Sequence, residues 1–107
     1  MAPSDRSQPV FRALADPTRR AIISMLSAGP RPIADIASEF DMTRPAVAKH
    51  LAILREGGIV VVEPKGRERI NRLNPAALKT AADWLNHFDR FWDDRLARLK
   101  QVVEDNA

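Results

Sequence analysis

The sequence predicts a mainly α-helical fold with one small β-hairpin, and three observations support this. Two short amphipathic segments, Ile33–Phe40 and Arg44–Glu56, are separated by a tight turn. A β-branched segment with a Lys-Gly turn follows over 59–73, and the stretch 75–104 then carries apolar residues at alternating three- and four-residue steps. Helix, turn, helix, hairpin and terminal helix in this order are typical of a winged helix-turn-helix with a long C-terminal dimerisation helix.

Size and composition limit what the chain can be. Its 107 residues, 45% of them apolar, are enough for one small core and leave little room for a second. The absence of cysteine excludes disulfides and thiolate metal ligands. The sequence has no apolar run long enough to cross a bilayer and no signal peptide, so we expect a cytoplasmic protein without a membrane partner. We expect one domain over 9–107, preceded by a flexible polar tail over 1–8.

Positive charge is concentrated in the centre of the chain, although the formal net charge is only +3. The segment 43–73 contains seven Lys or Arg and three Glu, whereas 74–107 contains five basic and six acidic residues. Because the positive segment also forms the second central helix and the hairpin, these elements are predicted to meet a polyanion such as DNA.

Two helices are predicted ahead of the central segment. Residues 9–15 are apolar enough for a short first helix. Asp16 and Pro17 begin the second helix, because Asp is a favoured N-cap and Pro is favoured at the first helical position. This helix should end at Gly29, and its apolar residues on nearly every side predict that it is central and buried.

The turn between the two central helices has suitable residues at both ends. The helix before it places Ile33, Ile36 and Phe40 on one apolar face. Asp41 occupies a turn position where the backbone is often left-handed, which Asp tolerates better than most residues. Thr43 is a good N-cap, so the next helix should start directly after it.

The second central helix is the predicted recognition helix. Val47, Leu51 and Leu54 lie within one narrow arc and should face the core, while small and basic residues occupy the opposite side. The small residues let the helix enter a DNA groove, where Arg44 and Lys49 can reach phosphates or guanine edges. The predicted DNA contacts of this helix are Thr43, Arg44, Pro45, Ala46, Lys49 and His50.

Some of these residues also have a simpler interpretation. A basic residue on an exposed helix face is often only solvated, which is the alternative for Arg44 and Lys49. His50 lies at the edge of the core arc, so packing or backbone bonding is as well supported as a phosphate contact. A metal ligand is the least favoured role for this single imidazole.

The hairpin is predicted from strands over 59–63 and 67–73, with Lys65 and Gly66 as its turn. Pro64 suits an edge strand, so the sheet should be small. Basic residues near the tip are predicted to bind the DNA backbone beside the recognition helix. These residues are Lys65, Arg67 and Arg69. The alternative is a charged edge that prevents strand pairing between molecules, and the alternation leaves open which hairpin face is buried.

A long terminal helix is predicted from Asn74, as N-cap, and Pro75 to about residue 104. Two neighbouring apolar stripes run along it and are too long and wide for one small domain to cover. We therefore predict a homodimer interface shared with the first helix. Its residues are Val10, Phe11, Leu14, Leu85, Phe88, Trp92, Leu96 and Leu99. The alternatives are a helix folded over its own core and a cofactor pocket between the aromatic rings.

The chain resembles the ArsR family of bacterial winged-helix repressors in three runs of its sequence. Two of them lie within 10–75 and read LADPTRRAIISML and IADIASEFDMTRPAVAKHLAILREGGIVVVEPKGRERINRLNP. The third, from the terminal helix, reads DWLNHFDRFWDDRLARL and is similar to a metal-independent branch of the family. The resemblance implies a homodimer paired through its first and last helices, which binds imperfect palindromes and usually represses transcription.

The chain differs from the metal-sensing members of this family. Those members carry a Cys cluster on the helix that reads RPIADIAS here, and this segment has no thiolate. Others bind metal between terminal helices through Asp, His and Glu, whereas Asp83 and His87 supply a single imidazole. The sequence therefore predicts neither a metal nor another cofactor. Wings of this family also often carry Tyr where Asn71 stands, which leaves the inner packing of the hairpin open.

Among three classes of function, the sequence favours a sequence-specific DNA-binding regulator, with repression from a pseudo-palindromic operator as the expected outcome. An interaction module that has lost DNA affinity is a second class, which the basic hairpin and Lys49 argue against. An enzyme is the third, and no Ser lies with a His and an acid at a suggestive spacing. The expected partners are double-stranded DNA and a second copy of the chain.

Overall fold

The computed structural model describes residues 7–106, in which helices predominate over a small antiparallel sheet. In chain order the elements are α1 (Gln8–Leu14), α2 (Pro17–Ala28), β1 (Arg31–Pro32), α3 (Ile33–Phe40), α4 (Arg44–Glu56), β2 (Val60–Lys65), β3 (Glu68–Leu73), α5 (Pro75–Asn86) and α6 (Asp89–Asp105). The predicted winged helix-turn-helix is confirmed, with α3 and α4 as the helix-turn-helix and the β2–β3 hairpin as the wing.

Side-chain caps explain where two of the helices begin. The Asp16 carboxylate accepts a hydrogen bond from the Arg19 backbone N–H at 3.0 Å, and Pro17 follows at the first helical position. The Thr43 hydroxyl accepts a hydrogen bond from the Ala46 N–H at 3.3 Å. Both caps were predicted from the sequence and are confirmed.

The first helix begins earlier than predicted. The Ser7 carbonyl accepts hydrogen bonds from the N–H groups of Val10 and Phe11 at 3.0 and 3.1 Å, and α1 starts at Gln8. Gln8 thus lies in α1 with Ser7 at its N-cap position, and the bounds of the predicted tail and domain stay a prediction. The rest of that tail, 1–6, lies outside the described residues.

The helices and the sheet surround one hydrophobic core. Val47, Leu51 and Leu54 of α4 are each at most 2% exposed, so the predicted inner face of this helix is confirmed. Full burial of a side chain of this size stabilises a fold by about 1.5–3 kcal/mol. The other apolar core members are Val10, Ala13, Ile22, Leu26, Ile36, Ala37, Ile59, Val60 and Ala81.

Helix α2 is less buried than its sequence suggests. Its core residues are Ile22 and Leu26, while Ile23 and Met25 are half-buried and Ser24 is exposed. The reason is that α1, α4 and β3 contact one side of α2 and leave its other side toward solvent.

The turn between α3 and α4 has the predicted left-handed residue. Asp41 has a φ of 52°, and its N–H donates a hydrogen bond to the Ala37 carbonyl. The Met42 N–H donates to the same carbonyl at 3.2 Å. These two bonds end α3 and direct the chain into α4.

A third strand, which the sequence did not predict, joins the sheet. Strand β1 pairs antiparallel with β3, so the strand order is β1-β3-β2 and β3 is central. Arg31 lies opposite Asn71, and Pro32 lies opposite Ile70. A strand of two residues has no periodicity by which a sequence could reveal it.

The hairpin turn lies one residue later than predicted. Lys65 pairs with Glu68 in the register of β2 and β3, so the turn consists of Gly66 and Arg67. Gly66 has a φ of +63°, which fits the first position of a two-residue hairpin turn, where glycine is favoured. Pro64 lies on the edge strand β2, as predicted.

The buried face of the hairpin is the one that contains Asn71. This residue is 4% exposed, and its Nδ2 donates a hydrogen bond to the Arg31 carbonyl at 3.2 Å. Leu73, on the same face, packs against the core. The amide of Asn71 thus links β3 to β1 and avoids an unpaired polar group in the interior.

The predicted terminal helix is interrupted, and His87 and Phe88 separate α5 from α6. His87 Nδ1 donates a hydrogen bond at 2.9 Å to the Asp83 carbonyl. In a continuous helix the same carbonyl would accept from the His87 backbone N–H, so the side chain replaces the backbone donor. That N–H donates to the Trp84 carbonyl at 3.2 Å, and the Phe88 N–H donates to the Leu85 carbonyl at 3.1 Å. The chain therefore tightens into a turn of 3₁₀ type before α6 begins.

The start of α5 also differs from the prediction. Asn74 occupies the predicted N-cap position, but its side chain makes no capping hydrogen bond. Its Nδ2 donates to the Gly58 carbonyl at 3.0 Å, and its backbone N–H donates to the Ile59 carbonyl at 2.7 Å. Asn74 thus ties the start of α5 to the segment between α4 and the wing, while Pro75 takes the first helical position.

Helix α6 projects from the rest of the molecule and buries none of its residues. The described chain measures 63 × 41 × 21 Å and has a radius of gyration of 18.6 Å. A compact domain of this length would have a radius of gyration of about 13 Å. No helix within 7–106 has the length and apolar character needed to cross a membrane.

Candidate nucleic-acid interface

The outer face of α4 presents the predicted recognition residues. Burial of the inner face leaves Arg44, Pro45 and Lys49 exposed to solvent. Thr43 is also exposed, with its hydroxyl bound to the N–H of the half-buried Ala46. The start of α4 thus presents cations beside small side chains, a surface that can enter a major groove.

Three arginines that were predicted to contact DNA line one cleft. Arg44 from the first turn of α4 and Arg67 and Arg69 from the wing border a concave space of about 320 Å³. Its other walls come from Pro32, Ile33, Ala34, Asp35 and Glu68. Three guanidinium groups against two carboxylates make this space positive, and each guanidinium offers several N–H donors that suit phosphate oxygens.

A second cleft, of about 270 Å³, lies between α4 and the inner side of the wing. Two arginines, Arg55 and Arg69, line it. Its other walls come from Ile33, Ala48, Leu51, Val62 and Asn71. Arg55 is a candidate site residue that was not predicted from the sequence. Its spacing could have indicated this role, because Arg55 follows Ala48 by seven residues and therefore lies two turns along the same side of α4.

The cations predicted to contact DNA are not neutralised by neighbouring carboxylates. They are Arg44, Lys49, Lys65, Arg67 and Arg69. Among the residues that the structure describes, none of these side chains forms an ion pair with Asp or Glu. By contrast, Arg72 on the same hairpin pairs with Glu63. An exposed cation without an ion-pair partner keeps its attraction for a phosphate.

His50 is held by neighbours within the protein. Its side chain is 22% exposed, and its Nδ1 lies 3.5 Å from the Arg19 guanidinium and 3.8 Å from Asp16 Oδ2. Of the two roles considered for His50, the structure therefore supports an intramolecular one for Nδ1. A phosphate contact through Nε2 stays a prediction.

The pKa of the Asp16 carboxyl is lowered from its usual value. The main cause is the hydrogen bond from the Arg19 backbone N–H, and the charge of Arg19 lowers the pKa further, while partial burial opposes them. At neutral pH, Asp16 is thus a carboxylate that both caps α2 and lies beside the recognition helix.

The terminal region exposes the apolar surface that the sequence predicted. Its five proposed interface residues, all between 42% and 61% exposed, are Leu85, Phe88, Trp92, Leu96 and Leu99. The exposed apolar neighbours of these residues are Trp84, Phe91, Val102 and Val103. A contiguous apolar surface of this extent on a small protein commonly marks an interaction site.

Helix α1 joins this surface through Phe11. The Phe11 ring packs edge-on against Trp84 with centroids 5.6 Å apart, and Trp84 packs against Phe88 at 5.2 Å. The prediction that Val10 lies in the interface is wrong: this side chain is 5% exposed and belongs to the chain's own core, because α1 packs closely on α4 there. Leu14 is half-buried.

The two residues that could have formed half of a metal site are engaged within α5. The Asp83 carboxylate accepts hydrogen bonds from Lys79 Nζ at 2.9 and 3.1 Å, and His87 Nδ1 donates to the Asp83 carbonyl. Over residues 7–106, no group of three or more His, Asp or Glu side chains is placed to hold a metal ion.

Residues 14–63 match a family model described as a helix-turn-helix domain. The chain is 37% identical to the HTH-type transcriptional regulator Rv2034 of Mycobacterium tuberculosis, over 91% of this chain and 88% of that protein. It is 33% identical to the transcriptional repressor SdpR of Bacillus subtilis, over 81% of this chain and 97% of that protein. A solved ArsR-like transcriptional regulator from Rhodococcus sp. RHA1 is 35% identical, with a TM-score of 0.72 over 91% of this chain and 92% of that one.

Proposed function

Because the chain belongs to the ArsR family of winged helix-turn-helix transcriptional regulators, we propose that it binds a pseudo-palindromic DNA operator as a homodimer and represses transcription. The regulators of this family bind DNA and are not enzymes. The observation that carries the proposal is the set of exposed cations without ion-pair partners that α4 and the wing present together.

In the proposed complex, α4 lies in the major groove. Arg44 and Lys49 contact guanine edges or phosphates, and the small side chains of Pro45 and Ala46 allow close approach. Thr43, at the N-terminus of α4, lies where a helix favours an anion. The His50 side chain is 22% exposed, and in this complex it offers Nε2 to the DNA because Nδ1 faces Arg19.

The wing contacts the backbone beside that groove. Lys65, Arg67 and Arg69 lie at or next to the hairpin turn, and two of them share a cleft with Arg44. A phosphate in this cleft would be bound from both the recognition helix and the wing, which fixes the protein's register on the duplex. Arg55 extends the same positive surface.

The dimer forms through the exposed apolar residues of α5 and α6, together with Phe11 and Leu14 of α1. A two-fold axis pairs this surface with itself, because a symmetric interface uses the same patch on both copies. Two recognition helices arranged in this way meet successive major grooves about 34 Å apart. An operator with two-fold symmetry follows from that arrangement.

The relatives support repression as the outcome of DNA binding. SdpR, 33% identical to this chain, is named a transcriptional repressor. A dimer that covers an operator denies that DNA to the transcription machinery. We place the protein in the cytoplasm, where a bacterial operator lies.

The groove contact is tested with Lys49→Ala. DNA sequences are first selected from a random pool by the unaltered protein, and the affinity of the variant for them is then measured. Loss of one such contact should weaken binding by about 1–3 kcal/mol, which is roughly five- to 150-fold. Lys79→Ala, which removes an equal charge from α5, is the matched control and should bind normally. Unchanged affinity of the Lys49 variant would contradict its role.

The wing contact is tested with Arg67→Gln and Arg69→Gln. Each phosphate contact that is lost should flatten the slope of log affinity against log salt concentration by about one. Arg72→Gln, on the same hairpin, is the matched control: it removes an equal charge that pairs with Glu63 and should leave the slope unchanged. If the slope does not change, the wing is only a solvated hairpin. If the unaltered protein shows no salt-dependent binding to any selected DNA, it is an interaction module and the proposed function is wrong.

A further inference from the structure

A cluster of Asp16, Arg19 and His50 links three helices at one point. Arg19 projects from the first turn of α2, where its Nε donates to the Ala13 carbonyl at 2.9 Å and its Nη2 donates to the Arg12 carbonyl at 2.8 Å. Both carbonyls belong to the last turn of α1, where helical N–H partners run out, and the Arg12 carbonyl also accepts from the Ala15 N–H at 3.3 Å. The third guanidinium nitrogen, Nη1, lies 3.5 Å from Nδ1 of His50 on α4.

Hydrogen-bond chemistry determines how His50 takes part. A guanidinium has donors and no acceptor, so His50 Nδ1 accepts and the imidazole proton lies on Nε2. Oδ2 of Asp16 lies 3.8 Å from the same nitrogen and also accepts the Arg19 backbone N–H at 3.0 Å. Arg19 thus contacts the imidazole from the start of α2, and Asp16 holds the Arg19 backbone in place through its cap.

Only an arginine can make these contacts together. Its planar group carries donors that point in fixed, divergent directions, so one side chain reaches two carbonyls and an imidazole at once. A lysine carries the same charge on a single nitrogen and cannot span them. Because Arg19 and His50 are both only partly exposed, water competes weakly for these bonds.

A second close contact holds α1 against α4. Gly57 follows the last turn of α4, and a Cβ added there would lie 2.9 Å from the Pro9 carbonyl oxygen at the start of α1. The Arg19 cluster holds the end of α1, so α1 is attached to α4 near both of its ends. Core packing of Val10 and Ala13 and the Arg12–Glu56 ion pair at 3.2 Å also hold the two helices together, and contacts near both ends of α1 restrict the angle between them further.

The two attached helices carry different parts of the proposed function. Helix α1 contributes Phe11 and Leu14 to the proposed dimer surface, and α4 contributes Arg44 and Lys49 to the proposed DNA surface. The angle between α1 and α4 therefore sets how far apart, and in which relative orientation, two recognition helices of a dimer lie.

We propose that Arg19, acting through His50, is a positioning residue that fixes this angle and so makes the dimer select one spacing between operator half-sites. The inference rests on the proposed function as a DNA-binding homodimer. Adding one base pair between half-sites displaces them by about 3.4 Å and rotates them by roughly 35°. A rigid dimer cannot follow that change without losing contacts at one half-site.

The test compares affinities for the selected palindrome, for versions with one base pair added or removed between half-sites, and for a single half-site. The unaltered protein should lose about tenfold or more in affinity on either altered spacing. Arg19→Lys should reduce this difference to less than about threefold, with single half-site affinity and the dimer fraction unchanged. His50→Gln, which keeps a hydrogen-bonding side chain, should partly reduce the difference between spacings and serves if the Arg19 variant does not fold. Because His50 is also a proposed DNA contact, only the ratio of this variant's affinities for the different spacings is compared.

Arg20→Lys is the matched control. The Arg20 guanidinium donates to the Leu14 carbonyl at 2.7 Å, also at the end of α1, but among the described residues it forms no hydrogen bond or ion pair with α4. This variant should keep full discrimination between spacings. Full discrimination by Arg19→Lys, or equal loss of affinity on all three spacings and on the half-site, would overturn the proposal. A failure of the unaltered protein to bind any DNA would instead contradict the proposed function, so the two failures are distinguishable.

Discussion

The helix-turn-helix body, residues 8–81, and the C-terminal arm, residues 82–105, have similar apolar patterns but opposite burial. Each apolar stripe of the body packs on another element of the same chain, and every buried residue of the described chain lies in the body. In the arm, side chains of the same kind remain open to solvent, with Leu96 and Leu99 each 61% exposed.

The contrast shows that an apolar stripe predicts that a helix packs against another surface. It does not predict whether that surface belongs to the same chain or to another molecule. The stripe of α4 meets α1, α2 and α3 within its own chain. Helix α6 projects beyond the body, so its stripe has no such neighbour. The arm therefore needs a second molecule to bury its surface, which is why it is the centre of the proposed homodimer.

The largest expected effect comes from placing a charge in the middle of the arm, with Trp92→Glu. Trp92 is 59% exposed in the single chain, and in the proposed dimer the new carboxylate would be buried without a partner. An unpaired buried charge costs about 3–5 kcal/mol, so dimer affinity should fall by roughly a hundred-fold or more. Light scattering should find a monomer, and circular dichroism should find the body folded.

Gln101→Glu is the matched control for this experiment. Gln101 lies nine residues after Trp92, which places it on the opposite side of α6. The same added charge should leave the dimer intact there. A Trp92→Glu protein that remains a stable dimer would show that the arm is not the interface.

A smaller effect distinguishes the two regions by deleting equivalent side chains, with Leu54→Ala in the body and Leu99→Ala in the arm. Leu54 is fully buried, so its truncation should lower the free energy of unfolding by about 2–5 kcal/mol at every protein concentration. The exposed Leu99 should contribute to stability only in the dimer, where its side chain becomes buried. Its truncation should lower the melting temperature at high concentration and leave it unchanged where the chain is monomeric. Concentration-independent destabilisation by Leu99→Ala would mean that α6 folds back on its own core in solution.

The smallest effect concerns the pH dependence of stability in the body. The pKa of Asp16 is lower in the folded chain than its unfolded value of about 3.9, so its carboxylate stabilises the fold above that pH. This stabilisation is lost as the pH falls through the lowered pKa. Asp16→Asn keeps a capping side chain but no titrating charge, so its melting temperature should fall less steeply below about pH 4.

Asp94→Asn, on the exposed α6, controls for removal of a negative charge as such. The three proteins are compared by thermal melts between pH 6 and roughly pH 3. If the melting temperature falls with pH at the same slope in the unaltered chain and in the Asp16 variant, the negative charge of Asp16 does not stabilise the fold.

The body was largely predictable because its elements are defined by local chemistry. The caps Asp16 and Thr43, the left-handed Asp41 and the edge position of Pro64 each depend on neighbours within a few residues. The inner face of α4 followed from its period, and its exposed outer face followed by exclusion. The interruption at His87 was not predicted, because it depends on a side chain that competes with its own backbone for one carbonyl.

The candidate site was only partly predictable. The cations of α4 and the wing could be named from the sequence, but their shared cleft depends on how the hairpin folds back toward α3 and α4. Arg55 was missed for the same reason. The contact between Arg19 and His50 joins positions 31 residues apart, and no spacing rule connects them.

Local patterns predicted most of the helices and the inward-facing side of α4, and they placed the hairpin turn to within one residue, because these features follow from interactions within one or two helical turns. The fold alone places Val10 in the core beside a half-buried Phe11, adds β1 to the sheet and leaves α6 without a partner in its own chain. Those outcomes depend on groups far apart in the chain meeting in space, and local spacing carries no information about which of them meet.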